Sequence, residues 1–246
     1  MDGNRVNREK ERHNASFGSA RVPMEKYHKV LVEMKKYFRM QILEKLDNNA
    51  IFLDYGCGTG YNLLDFSQNF SKGVGIDISE VRIERAKSLA KEKNITNVEY
   101  FVMDAMNTTF ENETFDVIRG SAILHHLDLT LSLNEIKRIL KGGGAAIFIE
   151  PLDTNLIIKL YRKLTPNART SDEQPLRKKD IKLIKTIFPN TEIYYFAFFA
   201  LLATPFRNSK HFSNILSILS FVDKIMLNKR SPFKWLAWYC MLIFKK

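Results

Sequence analysis

The chain has 246 residues, 45% of them hydrophobic, a net charge of +11 and two cysteines. It is long enough to bury a full core as one domain, and Cys57 and Cys240 are too few and too far apart for a disulfide framework or a metal cluster, which fits a reducing cytosol. The charge is uneven: residues 1–150 carry 21 basic and 21 acidic side chains, residues 151–246 carry 17 and 6, and more than half of the aromatic residues lie in that second part.

Met1–Asn14 is charged and polar throughout, unlike a secretory leader. Residues 1–22, punctuated at Ser16-Phe17-Gly18-Ser19, read as a segment that is either mobile or folded over the core. Pro23 then opens a helical pattern in which Tyr27, Val30, Leu31, Met34, Tyr37, Phe38, Ile42 and Leu46 form one apolar face. Strands and helices alternate from there. The pattern predicts strands at 50–54, 72–77, 98–103, 115–119 and 144–150, and helices from about 61 and over 79–92 and 130–140. Ser79 suits a helix N-cap, with Ile83, Ala86 and Leu89 as the apolar face behind it. Such alternation implies βαβ crossovers and a parallel sheet covered on both faces. Beyond Pro151 the expected elements are a helix over Leu156–Leu164, a loop over Thr165–Pro175, a helix over Asp180–Phe188, a strand over Thr191–Phe199, a helix over His211–Leu227 and a final strand over Trp235–Phe244. The longest apolar runs, Ile193–Phe206 and Trp235–Phe244, fall short of the ~18–20 residues a membrane span needs.

The densest signal is Asp54-Tyr55-Gly56-Cys57-Gly58-Thr59-Gly60, directly after the apolar run Ala50-Ile51-Phe52-Leu53. A buried strand runs into a glycine turn that opens a helix, and each missing Cβ lets a ligand approach the backbone. Asp77 ends the next apolar segment, close to the ~20-residue offset at which a Rossmann-type fold places an acid on a ribose. A dinucleotide fingerprint would be G-x-G-x-x-G, and the position of its third glycine is taken here by Tyr61. The spacing G-x-G-x-G after a strand-ending acid resembles motif I of the class I S-adenosylmethionine (SAM) dependent methyltransferases. Gly75-Ile76-Asp77-Ile78-Ser79 resembles that family's second element and Tyr100-Phe101-Val102-Met103-Asp104-Ala105 its third. Phe115-Asp116-Val117-Ile118 resembles the fourth strand, and Leu140-Lys141-Gly142-Gly143-Gly144 with Ala145–Pro151 the last turn and strand. Gly142 stands where the family usually has proline.

The resemblance covers residues 48–151 and implies an α/β, Rossmann-like seven-stranded, mostly parallel sheet with helices on both faces, an N-terminal helix and a C-terminal helical insertion at about 200–230. It divides the chain into an N-terminal helical cap (1–47), a SAM-binding core (48–151) and a C-terminal part (152–246) that completes the sheet and shapes the acceptor site. It implies SAM as donor and S-adenosylhomocysteine as product. Asp54, Gly56, Gly58 and Gly60 would hold the methionine end of the donor, Asp77 and Ile78 the ribose, and Met103, Asp104 and Ala105 the adenine, with Ser121 beside the reacting methyl. His125 and His126 are the candidates for a general base, against a reading in which they top the fourth strand and bond its loops. Glu150 either faces the substrate or serves as a cap or ion-pair partner. No metal is implied.

The Asn/Asp-Pro-Pro-Tyr/Phe motif of amine-methylating nucleic-acid enzymes is absent after strand four, where Arg119-Gly120-Ser121-Ala122 stands. The expected acceptor is a small molecule, with an RNA methyltransferase, a non-catalytic SAM-binding scaffold and an NAD-dependent oxidoreductase as alternatives. In the C-terminal part, Arg162, Lys163, Arg169, Arg177, Lys178 and Lys179 read either as a patch for an anionic acceptor or anionic membrane surface, or as a solvated face. The runs Tyr194–Phe199 and Trp235–Tyr239 read either as the lining of a lipid or isoprenoid channel or as core positions of two strands. The basic residues are spread out and form no recognisable RNA-binding module, which argues against a nucleic-acid partner.

Overall fold

A computed structural model describes Lys10, Glu11, Asn14 and residues 29–165 and 174–246. Pro23, Tyr27, Arg169 and most of the loop expected at 165–175 lie outside the described residues. Seven strands form one sheet: β1 (Ile51–Tyr55), β2 (Lys72–Asp77), β3 (Val98–Val102), β4 (Phe115–Ser121), β5 (Leu140–Pro151), β6 (Glu192–Phe196) and β7 (Tyr239–Lys245), in the order β3-β2-β1-β4-β5-β7-β6. All neighbours are parallel except β7, which runs antiparallel to both β5 and β6. The chain reverses its winding at β1, so the crevice beyond the carboxyl ends of β1 and β4 is where such a sheet takes a ligand.

Helices cover both faces. On one face lie α1 (Val32–Leu43), the four-residue α2 (Tyr61–Leu64), α3 (Glu80–Glu92) and α7 (Phe212–Met226), whose Met34, Phe38, Leu63, Ile83, Ala86 and Leu216 share a core with Phe52, Val117 and Ile243. Ile158 of α5 (Leu156–Leu164) joins the same core. On the other face, α4 (Leu129–Ile139) and α6 (Lys178–Ile187) bury Leu133, Ile136, Ile181 and Ile184 against Leu53, Ile118, Phe148 and Phe244. The helix starts obey local chemistry. Ser79, Asp128 and Asn155 accept from the backbone N–H three residues on, capping α3, α4 and α5.

The predicted helices and strands that fall among the described residues are present, and their differences have local causes. The strand expected at 191–199 ends at Phe196 because Ala197 turns left-handed (φ 63°) and the chain enters a 3-10 helix, Phe199–Phe206. The buried Asp223 of α7 fixes that turn by accepting from the N–H groups of Phe198, Phe199 and Ala200. The final strand starts at Tyr239 rather than at Trp235, because Pro232 opens a 3-10 helix over Pro232–Leu236. The fifth strand begins at Leu140, and the Gly142–Gly144 turn is a register shift inside it, with Gly143 at φ 80°.

Candidate functional site

Asp54 is the penultimate residue of β1 and Arg119 sits opposite it on β4, so both side chains leave the same face of the sheet. Arg119 Nη1 lies 3.1 Å from Asp54 Oδ2, and both side chains are almost wholly buried. The guanidinium also stacks 5.3 Å from the centre of the Phe38 ring of α1. Its Nε is buried with no hydrogen-bond partner among the described residues. Burial pushes the Asp54 carboxyl up; the Arg119 guanidinium opposes that rise and nearby Asp77 adds to it.

The glycine loop follows. Gly56 and Cys57 donate to the Ile76 carbonyl at 2.9 and 2.8 Å, which pins the loop to the end of β2. Gly56, Gly58 and Gly60 all have positive φ (78°, 55° and 77°), a conformation an L side chain adopts only with strain. Their surroundings differ. A Cβ on Gly60 would meet Ala86 Cβ and Tyr100 Oη at 2.7 Å, and one on Gly56 would meet Ile123 at 2.9 Å, whereas one on Gly58 would meet nothing within 4 Å among the described residues. Gly60 is therefore needed for packing, while Gly58 borders open space that a ligand can fill. Cys57 is a buried filler whose thiol is pushed well up by burial and the nearby carboxylates.

Asp77 ends β2 and accepts from Gly58 N and Ser79 N, both at 2.9 Å, one on each carboxylate oxygen. Each oxygen keeps a lone pair. Ile78, half-buried, lies between Asp77 and the α3 cap. Of the N-terminal segment, Lys10 pairs with Glu80 at 2.6 Å and Asn14 accepts from the Ser79 hydroxyl, so these two residues reach the start of α3 beside Asp77. After β3, Met103 N donates to the Asp77 carbonyl at 3.0 Å, which ties the third sequence element to the second. Asp104 turns back on Met106 N at 2.8 Å, and the buried Ala105 accepts from the Tyr55 hydroxyl. The residues expected at the methionine end, ribose and adenine thus lie at or just beyond the carboxyl ends of the neighbouring strands β1, β2 and β3.

Ser121 ends β4, half-buried, and Ala122 follows at φ 54°, held by its N–H on the Ile149 carbonyl at 2.9 Å. Glu150 is fully buried and does not open toward a substrate. One oxygen accepts from Ile123 N and Leu124 N (2.9 and 2.8 Å), and the other is 2.7 Å from His125 Nδ1. His125 is buried, while His126 is half-buried with its ring 4.1 Å from that of His125. Glu150 is thus the cap and ion-pair partner of the 3-10 turn Leu124–His126.

The Asp54–Arg119 pair is what sequence reasoning missed. Its signal was a lone arginine in the otherwise apolar half of Phe115-Asp116-Val117-Ile118-Arg119, in register with the motif acid. Of the C-terminal aromatics, Trp238 is buried, while Tyr194, Tyr195, Phe196 and Phe221 line a cavity of about 1090 Å³ between α1, β6 and α7. The basic residues scatter, with Arg162 and Lys163 in the last turn of α5, Arg177 on Asp180, and Lys178 over Trp235. Among the described residues no group of three His, Cys, Asp or Glu side chains is placed to hold a metal, and no helix is long and apolar enough to cross a membrane.

A reversed parallel sheet, a three-glycine loop and a strand-ending acid at β2 define a Rossmann-like, class I methyltransferase fold. The family described as a methyltransferase domain matches residues 53–148, and that part of the chain is a methyltransferase domain of the SAM-dependent class. A demethylmenaquinone methyltransferase of Lactococcus lactis is 38% identical over 102 residues, 40% of this chain and 40% of its own length. The uncharacterized methyltransferase YcgJ of Bacillus subtilis is 31% identical over 99 residues, 40% of this chain and 39% of its own. The chain therefore spans about two fifths of these curated relatives. Among solved structures, geranyl diphosphate C-methyltransferase from Streptomyces coelicolor, in complex with Mg2+, geranyl diphosphate and S-adenosylhomocysteine, superposes over 99% of this chain and 98% of its own with a TM-score of 0.68 at 14% identity. That likeness extends the shared fold to the C-terminal part.

Proposed function

We propose that this chain is a SAM-dependent methyltransferase acting on a small-molecule acceptor with an apolar body. The open space at Gly58, bordered by Asp77 and by the buried Asp54–Arg119 pair, carries the reading. The donor's amino-acid end is a zwitterion: a carboxylate suits its ammonium, and a guanidinium with an orphaned Nε suits its carboxylate. The two lone pairs left on Asp77 suit ribose hydroxyls, with Ile78 beside them, and Met103, Asp104 and Ala105 suit the adenine. The residues present fit the group.

The bound donor supplies a methyl on a sulfonium, already activated for in-line displacement. The chain's own task is to align the acceptor and exclude water, for which orientation can be worth an effective molarity on the order of 10⁵ M. Ser121 and Ala122 at the end of β4 border the acceptor. On this reading the buried Glu150 holds His125 and so positions His126, the residue of the pair placed to take a proton from a hydroxyl acceptor. Residues 1–47 act as the cap, 48–151 as the donor core and 152–246 as the acceptor side.

The apolar character assigned to the acceptor draws support from the cavity beside β6 and from two similar proteins, the geranyl diphosphate C-methyltransferase and the demethylmenaquinone methyltransferase. Incubating the protein and methyl-labelled SAM with cell extracts tests it. The expected result is label in an apolar small-molecule fraction. Label in RNA, or SAM binding with no labelled product in any extract, would overturn it.

A further inference from the structure

We infer that the face formed by α5, the 3-10 helix Phe199–Phe206 and α7 docks on an anionic lipid bilayer. The first observation is an outward apolar surface. Leu156, Leu160 and Leu164 of α5 are exposed to 69%, 61% and 72%, and α5 buries only Ile158. Ile218, Phe221 and Ile225 follow three and seven residues apart on α7, exposed to 65%, 63% and 54%, on the side opposite the buried Leu216 and Asp223. Single exposed apolar side chains are ordinary, but repeated stripes on two helices mark an interaction surface.

Topology puts both stripes on one face of the sheet. β5 and β6 both run antiparallel to β7, so they share a direction, and α5 and the Phe199–Phe206 helix both leave the sheet at that carboxyl end. Ile158, Ala200, Leu201 and Leu216 meet in one core beneath them. The exposed stripes therefore sit outward of a common packed layer.

Charge selects the occupant. Residues 197–246 contain eight lysines and arginines and a single acid, Asp223. That acid is buried and spent on the backbone of Phe198–Ala200. Lys163 and Lys224 flank the α5 and α7 stripes. Lys245 and Lys246 pair with Glu192 and Glu113 away from this face, and exposed leucine and phenylalanine beside lysine is the composition of a helix lying in the interface of an anionic membrane. A second copy of this chain would bring the same excess positive charge against itself, which disfavours a symmetric dimer on this face.

The test is co-sedimentation of the full chain with vesicles of phosphatidylcholine alone or of equal parts phosphatidylcholine and phosphatidylglycerol, with light scattering of the free protein alongside. Binding to the anionic vesicles alone, weakening with salt, is expected. The double variant Leu160→Asp/Phe221→Asp should abolish it with an unchanged melting temperature, since both side chains are already more than 60% exposed, Phe221 at the edge of α7 that also borders the cavity. Lys163→Gln/Lys224→Gln should weaken partitioning about twentyfold, from about fivefold per basic side chain. Equal binding to both vesicle types, no binding to either, or a dimer that the same apolar substitutions dissociate would overturn the inference. Turnover is not needed for the readout.

Discussion

The donor crevice and the acceptor-side face treat their awkward side chains in opposite ways. Around the glycine loop every buried charge is turned inward and matched: Asp54 to Arg119, Glu150 to His125 and the following turn, Asp77 to two backbone N–H groups. On α5 and α7, apolar side chains point outward with lysines between them. A crevice that must hold one ligand in one pose gains from pairing that fixes its walls. A face that meets a deformable partner needs area and charge instead.

Breaking the inward pairing should have the largest effect. Arg119→Met leaves Asp54 buried and unopposed, and should cost about 3–5 kcal/mol in urea unfolding. Asp54→Asn/Arg119→Met, which removes both charges, should recover much of that stability while binding S-adenosylhomocysteine poorly. Next, Gly60→Ala should cost about 2–4 kcal/mol, because a left-handed alanine there also collides with Ala86 and Tyr100. Asp77→Ala should cost about 2 kcal/mol by stranding the N–H groups of Gly58 and Ser79, and should weaken S-adenosylhomocysteine binding as well.

Acid should find a smaller weakness, beneath α4. Burial opposes ionisation of Glu135, but hydrogen bonds from Arg138 and Thr108 outweigh it and hold the carboxyl below its usual 4.5. Folding therefore favours the ionised form. The stability this supplies is full above about pH 4.5 and is lost as pH falls through the lower, folded-state value. Glu135→Gln should flatten the melting-temperature profile in that window and leave it unchanged at neutral pH apart from a constant offset. Smallest of all, Leu160→Asp/Phe221→Asp should change unfolding free energy by no more than about 0.5 kcal/mol, as surface substitutions do. A larger loss would mean that the outward stripes are part of the core, and the contrast between the two regions would fail.

Strand and helix order through residue 151 was legible because apolar runs, glycine turns and the Ser79 cap act locally. The glycine loop and Asp77 were legible for the same reason. The partners of Asp54 and Glu150 were not, because they come from strand register and from a turn that returns over the sheet, 65 and 25 residues away. Asp223 shows the same limit: it reads as an ordinary helix residue, yet it ends β6 by capping a turn 23–25 residues upstream. Alternation along β6 sends Tyr195 to one face of the sheet and Tyr194 and Phe196 to the other, so that aromatic run packs on both faces, which the run of rings alone does not reveal.

The central claim is that the space beside Gly58 holds the donor. Calorimetric titration of S-adenosylhomocysteine into the protein and into Gly58→Ala tests it directly. The substitution should cost only about 1 kcal/mol of stability, since its methyl group enters open space and the penalty is the left-handed backbone alone. The account predicts one site per chain in the unaltered protein and at least about a tenfold loss of affinity in Gly58→Ala, because the new methyl occupies the ligand's approach to the backbone. Equal affinity in the two proteins, or no heat with either, would contradict it.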